Sequence, residues 1–147
     1  MVTREIDEGR QKMAHESVDF VLSLLAEVRR LGVQKFEANP VKLHNFFYSC
    51  RRDPQLRDFV GDFIFDTRDY FPFSETLEES LDALQFAGYL ERTNPRGTYY
   101  LLSESLPNVF DKTVGGKFSG EELEKVHQIA QRFLQEVSVI CEPRLEA

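Results

Sequence analysis

Glu75, Glu78, Glu79 and Asp82 place four carboxylates in a stretch that holds no lysine or arginine. On a helix such a set is a solvated acidic face, or one that meets basic residues of a protein partner, and it repels phosphates. Base-edge readout uses Arg, Lys, Asn or Gln. Only Gln85 is present here, toward the C-terminal end, whereas the N-terminal end of a recognition helix usually enters the groove.

A basic set lies earlier: Lys42, Arg51, Arg52 and Arg57, with Lys35 nearby and Asp53 the only acid between Val41 and Arg57. Joined by Arg92 and Arg96 it could hold a phosphate backbone, although scattered surface arginines are ordinary. Asp58, Asp62 and Asp66 recur at i, i+4 and i+8, a hard-oxygen set of the kind that suits Mg²⁺ or Ca²⁺. The stretch lacks the glycine-turn spacing of a calcium loop and the partner lysine or histidine of a nuclease, so a solvent face is the expectation. His15, His44 and His127 are isolated from one another and sit in no metal-ligand or nucleophile-elbow pattern. Val114, Gly115, Gly116 and Lys117 resemble a phosphate cradle only superficially, because Phe118 follows the lysine where a P-loop needs Ser or Thr. No catalytic residue, cofactor, metal or small-molecule substrate is indicated.

The elements that would position these residues follow from periodicity. Phe20, Val21, Leu24, Leu25, Val28 and Leu31 give a broad apolar helix face that ends at Gly32. Asn39 as N-cap and Pro40 at the first position start a second helix through Leu43, Phe46, Phe47 and Cys50, ending near Arg52. Residues 56–70 fit a short helix or a strand. Pro72 and the Tyr70-Phe71 pair favour a short helix that becomes extended by Phe65. Ser74 is a good N-cap for a helix whose stripe is Leu77, Leu81 and Leu84, widened toward a core by Ala83, Phe86 and Ala87 and stopped by Gly88. Tyr89 to Thr93 and Thr98 to Leu102, separated by Asn94, Pro95, Arg96 and Gly97, read as a β-hairpin.

Helix, glycine, strand, turn, strand is the order of the recognition helix and wing of a winged helix-turn-helix. The expected fold is therefore mainly α (α+β): a flexible lead-in over 1–15, a winged-helix core over 16–103, a loop over 104–118 and an amphipathic C-terminal helix over 119–147. Pro107, Gly115 and Gly116 mark the loop. The last helix opens on a capping box of Ser119 and Glu122, carries Leu123, Val126, Ala130, Phe133, Leu134, Val137 and Ile140 on one face, and closes at Pro143. The apolar stripes of the first and last helices would either pair between subunits of a dimer or fold back on their own domain.

With 147 residues, 41% hydrophobic content and 13 Phe, the chain can bury a single core. No apolar run approaches the roughly 20 residues of a membrane span, and the polar start does not read as a signal peptide. A soluble cytoplasmic protein is expected, with Cys50 and Cys141 as reduced, buried thiols. A net charge of −7 means that nucleic-acid binding would need a local basic patch.

Leu43-His44-Asn45-Phe46-Phe47-Tyr48, then Phe63-Ile64-Phe65-Asp66, then Tyr70-Phe71-Pro72-Phe73-Ser74 with Leu77, Leu81, Leu84, Gly88 and Leu90, resembles the YwgA-like and Panacea antitoxin-like group over about half the chain. Phe71 stands where that group often has glycine, and Asn45 where it often has lysine. The resemblance implies a compact, non-catalytic domain of winged-helix character for which partner binding, including toxin neutralisation, is a role; it transfers no catalytic residue. The expected function is thus binding of a macromolecular partner, protein in preference to DNA, with Glu75, Glu78, Glu79 and Asp82 as the protein-binding face. The alternatives are a DNA-binding regulator using Lys42, Arg51, Arg52, Arg57, Arg92 and Arg96, and a metal-dependent hydrolase using Asp58, Asp62 and Asp66.

Overall fold

Phe20, Val21, Leu22, Leu24, Leu25, Ala26 and Val28 are all buried, so the helix that carries them, α1 (Ser17–Arg30), has almost no solvent side. A helix that is apolar nearly all round has to be wrapped by other elements. The computed structural model describes residues 15–57, 60, 63–93 and 97–141, and in it α1 is covered by three further helices and touches the sheet. Asp19 in its first turn and Arg29 and Arg30 in its last complement the helix dipole.

Gly32 turns the chain at φ +95°, and β1 (Val33–Glu37) follows. Next comes α2 (Pro40–Arg52), capped by Asn39, whose side chain accepts from the N–H groups of Val41 at 2.9 Å and Lys42 at 3.3 Å. An extended stretch closes on itself through an antiparallel bridge between Asp66 and Phe73 and leads into α3 (Glu75–Phe86). Ser74 caps α3 by accepting from the Leu77 N–H at 3.2 Å, and Gly88, at φ +87°, lets the Tyr89 N–H return to the Leu84 carbonyl at 2.9 Å. The hairpin of β2 (Leu90–Arg92) and β3 (Tyr99–Leu102) is followed by α4 (Leu106–Thr113), a short 3₁₀ turn, α5 (Gly120–Glu136) and β4 (Val139–Cys141). The capping box of Ser119 and Glu122 that opens α5 is formed in both directions.

The architecture is mixed α+β, with five α-helices and one antiparallel sheet of order β2-β3-β1-β4 among the described residues. The hairpin is half of this sheet: Phe36 of β1 stands opposite Tyr100 of β3 and, on the other side, opposite Val139 of β4. Phe133 of α5 meets the rings of Phe36 and Phe46 edge-on, each at 5.2 Å, which ties sheet, α2 and α5 into one core.

Several expectations are corrected. In α3 the buried residues are Leu77, Ser80, Leu81 and Leu84, while Ala83, Phe86 and Ala87 are exposed; the helix lies at the periphery and buries only one narrow side. The region over 104–118 contains α4, because Pro107 falls in the first helical turn, where its missing N–H costs nothing, and Leu106, Phe110 and Val114 are buried at i, i+4 and i+8. The last helix stops at Glu136: the β-branched run of Val137, Val139 and Ile140 goes extended, and β4 pairs with β1. Of the face expected for it, Val126, Ala130, Phe133 and Val137 are buried, joined by Ile129, while Leu123 and Ile140 are exposed, and α5 packs on α1. Cys50 is buried but Cys141 is exposed on the edge strand. Residues 1–14 of the lead-in expected over 1–15, and positions 58, 59, 61 and 62 of the ambiguous stretch, lie outside the described residues; His15, the last of that lead-in, is buried and pairs with Glu122 at 2.9 Å, and of the stretch over 56–70 the start is a turn and Asp66 forms the bridge to Phe73.

Phe133→Ala should lower the urea-derived unfolding free energy by about 3–5 kcal/mol, the usual cost of emptying a buried ring site. A loss below about 1 kcal/mol would mean that α5 is not part of the core.

Candidate functional site

Residues 63–79 bring exposed apolar and acidic side chains together. Phe63 and Phe65 turn toward α2, where Phe63 meets Phe47 at 5.5 Å and Phe65 meets Tyr48 at 5.2 Å. Ile64 between them points outward and is 78% exposed. Returning across the bridge, Phe73 stacks on His44 at 4.6 Å while keeping 39% of its own surface exposed. Ile64, Phe65 and Phe73 thus make an apolar groove of about 480 Å³ whose remaining walls are Asp66, Glu75, Thr76 and Glu79.

His44 fixes the groove to the helix. It is fully buried, its Nδ1 accepts from the Ser74 N–H at 3.0 Å, and its Nε2 lies 2.7 Å from Glu78 Oε2. A backbone N–H can only donate, so Nδ1 carries no proton and Nε2–H donates to the carboxylate. Both ring nitrogens are occupied, which removes His44 as a general base or metal ligand in this arrangement. Leu43-His44-Asn45 and Tyr70-Phe71-Pro72-Phe73-Ser74, far apart in the chain, meet here, with Phe71 5.8 Å from the imidazole.

The acidic set divides. Glu75, Glu79 and Asp82 are exposed, whereas Glu78 turns inward to His44. At 100° per residue Glu75, Glu79, Asp82 and Phe86 fall on one outward line of α3, opposite Leu77, Leu81 and Leu84. That line ends on Phe86, 97% exposed. Sequence reading missed Ile64, Phe73 and Phe86 as surface features; the alternation of Phe63, Ile64 and Phe65 was the one signal that could have placed Ile64 outside.

Lys42 stands at the start of α2, Arg51, Arg52 and Arg57 at or just beyond its end, and Arg92 on the edge strand of the sheet. Lys42 is held by Glu37 at 3.1 Å and the Ser138 hydroxyl at 3.2 Å. At the other end of α2, Arg51 donates to the Phe63 carbonyl at 3.4 Å and Arg52 lies over the Tyr48 ring at 5.6 Å. Arg57 is exposed in the turn beyond α2. Arg92, on the sheet edge, donates to the Gly97 carbonyl at 2.8 Å and lies over Tyr100 at 5.2 Å. Arg96 falls outside the described residues, as do Asp58 and Asp62. Asp66 is clamped by Arg68 at 2.7 and 3.0 Å, and hydrogen bonds from that arginine hold its carboxyl down at about 2.

Family models, curated proteins and solved structures offer no match to this chain. Among the described residues no group of three His, Cys, Asp or Glu could hold a metal, and no helix is long and apolar enough to cross a membrane. Burial pushes the Cys50 thiol up to about 12, which leaves it without nucleophilic character. His15 and His127 repeat the histidine–glutamate pairing, with Glu122 at 2.9 Å and Glu27 at 2.6 Å.

His44→Leu should destabilise the fold by about 1–3 kcal/mol through the orphaned Ser74 N–H alone, whereas Glu78→Gln, whose amide oxygen still accepts from Nε2–H, should cost under about 1 kcal/mol in the same urea titrations. The Glu27 carboxylate raises the His127 pKa above its ordinary 6.5 by accepting a hydrogen bond. The imidazolium is thus favoured in the folded state: the stabilisation is full below pH 6.5 and is lost as pH rises through the raised value. The stability gap between wild type and His127→Gln should shrink over that alkaline rise, and a gap that widens would reverse the assignment.

Proposed function

We propose that the chain is a non-enzymatic interaction domain that binds a protein partner through the outward face of α3. The observation that carries this is the exposure of Glu75, Glu79 and Asp82 on a helix without a single cation, next to solvent-exposed Ile64, Phe73 and Phe86. Exposed apolar side chains beside a helix face of one sign of charge are what a protein interface of complementary charge uses.

The order helix, strand, helix, helix, hairpin, with β1 beside the hairpin, supports a winged helix-turn-helix reading of 16–103. Two features argue against the use of that fold on DNA. The connection between α2 and α3 runs over 53–74, far longer than the turn of three or four residues in a helix-turn-helix, and it lies against the N-terminal end of α3 that would enter the groove. Lys42, Arg51, Arg52 and Arg92 are each engaged by groups of the chain itself and lie at opposite ends of α2 and on the sheet edge. Toxin neutralisation, which the antitoxin-like resemblance implies, is one role of this partner-binding kind.

Reversing Glu75, Glu79 and Asp82 to lysine should abolish capture of the cellular partner while leaving the circular dichroism spectrum unchanged, and the wild-type chain should give no anisotropy change with mixed-sequence duplex at micromolar protein and low salt. Steeply salt-dependent duplex binding would favour the DNA reading instead.

A further inference from the structure

We propose that the segment received by α3 is a basic amphipathic helix of the partner, anchored at one end in the groove of Ile64 and Phe73 and at the other on Phe86, with lysine or arginine between. This rests on the protein-binding reading above and specifies its ligand. The distance from Thr76, at the groove, to Phe86 is about 15 Å along α3 at 1.5 Å per residue, so an opposing helix of about three turns spans both apolar ends. Beyond the groove, whose wall includes Glu75 and Glu79, the exposed line presents Asp82 before it reaches Phe86. Asp66 is neutralised by Arg68, so the negative field comes from the helix itself.

Charge decides the occupant. A second copy of this chain docking antiparallel by a two-fold axis through α3 would set Glu79 against the Asp82 of the other copy, a like-charge contact. A cationic segment meets no such penalty. A helix fits better than an extended strand because the outward row of α3 repeats at i, i+4, i+7 and i+11, the spacing that another helix's ridges match at the usual 8–10 Å axial separation.

The test uses the full chain and a fluorescein-labelled, helix-forming peptide with leucine at positions eleven residues apart and lysines between, read by anisotropy. Micromolar binding is expected, weakened at least about five-fold by Phe86→Ser and by Ile64→Ser, both exposed positions that leave the core intact. Binding should weaken at least about ten-fold when the peptide's leucines become alanine, and vanish when its lysines become glutamate. Binding that survives Phe86→Ser and Ile64→Ser but is lost in Glu79→Lys/Asp82→Lys would overturn the anchored helix while leaving the acidic protein-binding face intact. Equal binding of a proline-interrupted peptide would overturn the helical form of the ligand. A dimer by sedimentation that Phe86→Ser dissolves would make the occupant a second copy. Absence of peptide binding by a chain that still captures its partner through Glu75, Glu79 and Asp82 would reject this inference alone.

Discussion

The burial of α1 on nearly every side governs the molecule. A helix with Phe20, Val21, Leu22, Leu24, Leu25, Ala26 and Val28 all removed from water must be enclosed, and the chain encloses it with α3, α4 and α5 while the sheet closes one end. Each enclosing helix spends its apolar side on that task. For α5 this uses Val126, Ile129, Ala130 and Phe133. For α3 it uses Leu77, Leu81 and Leu84, which leaves the opposite side, with its acids and Phe86, facing out.

Polar groups between elements are satisfied by a repeated device. His44 with Glu78, His127 with Glu27 and His15 with Glu122 each join parts of the chain distant in sequence. The His44 pair is the most constrained, since the backbone N–H at the start of α3 occupies the other nitrogen. It couples the position of the groove to the first turn of α3, so the apolar and acidic parts of the proposed face move as one body. A helix joined to its neighbour only by apolar contacts could rotate; one whose capping residue is bonded to a buried imidazole cannot do so without orphaning a donor.

The elements with unbroken local signals were legible: Asn39 and Pro40 before α2, Ser74 and Gly88 around α3, the hairpin, and the capping box of α5 all appear where the residues place them. What was lost had its signal masked by a local exception. In β1, Val33 and Phe36 are both buried although three residues apart, because the pairing with β4 slips between Val33 and Lys35. That bulge destroys the alternation by which a strand is recognised. β4 was hidden because Val137, Val139 and Ile140 continue a helical apolar pattern that their β-branching rejects. The acidic residues of the candidate face could be found by type alone, whereas its apolar ends could not, since exposure is a property of the assembled core.

Helix stability by itself does not account for the composition of α3. Glu75 and Glu78 in the first turn favour the dipole, but the last turn carries no basic residue, and Asp82 sits past the middle, where a carboxylate gains little from the N-terminus. Adding Lys or Arg near Gln85 would compensate the C-terminal carbonyls and cover Ala83 and Ala87 with an aliphatic stem. The chain instead places Phe86 there, almost wholly in water, at the cost of exposed apolar surface that no element of its own covers among the described residues. On the protein-binding reading proposed above, the missing cations and the missing apolar cover come from the partner.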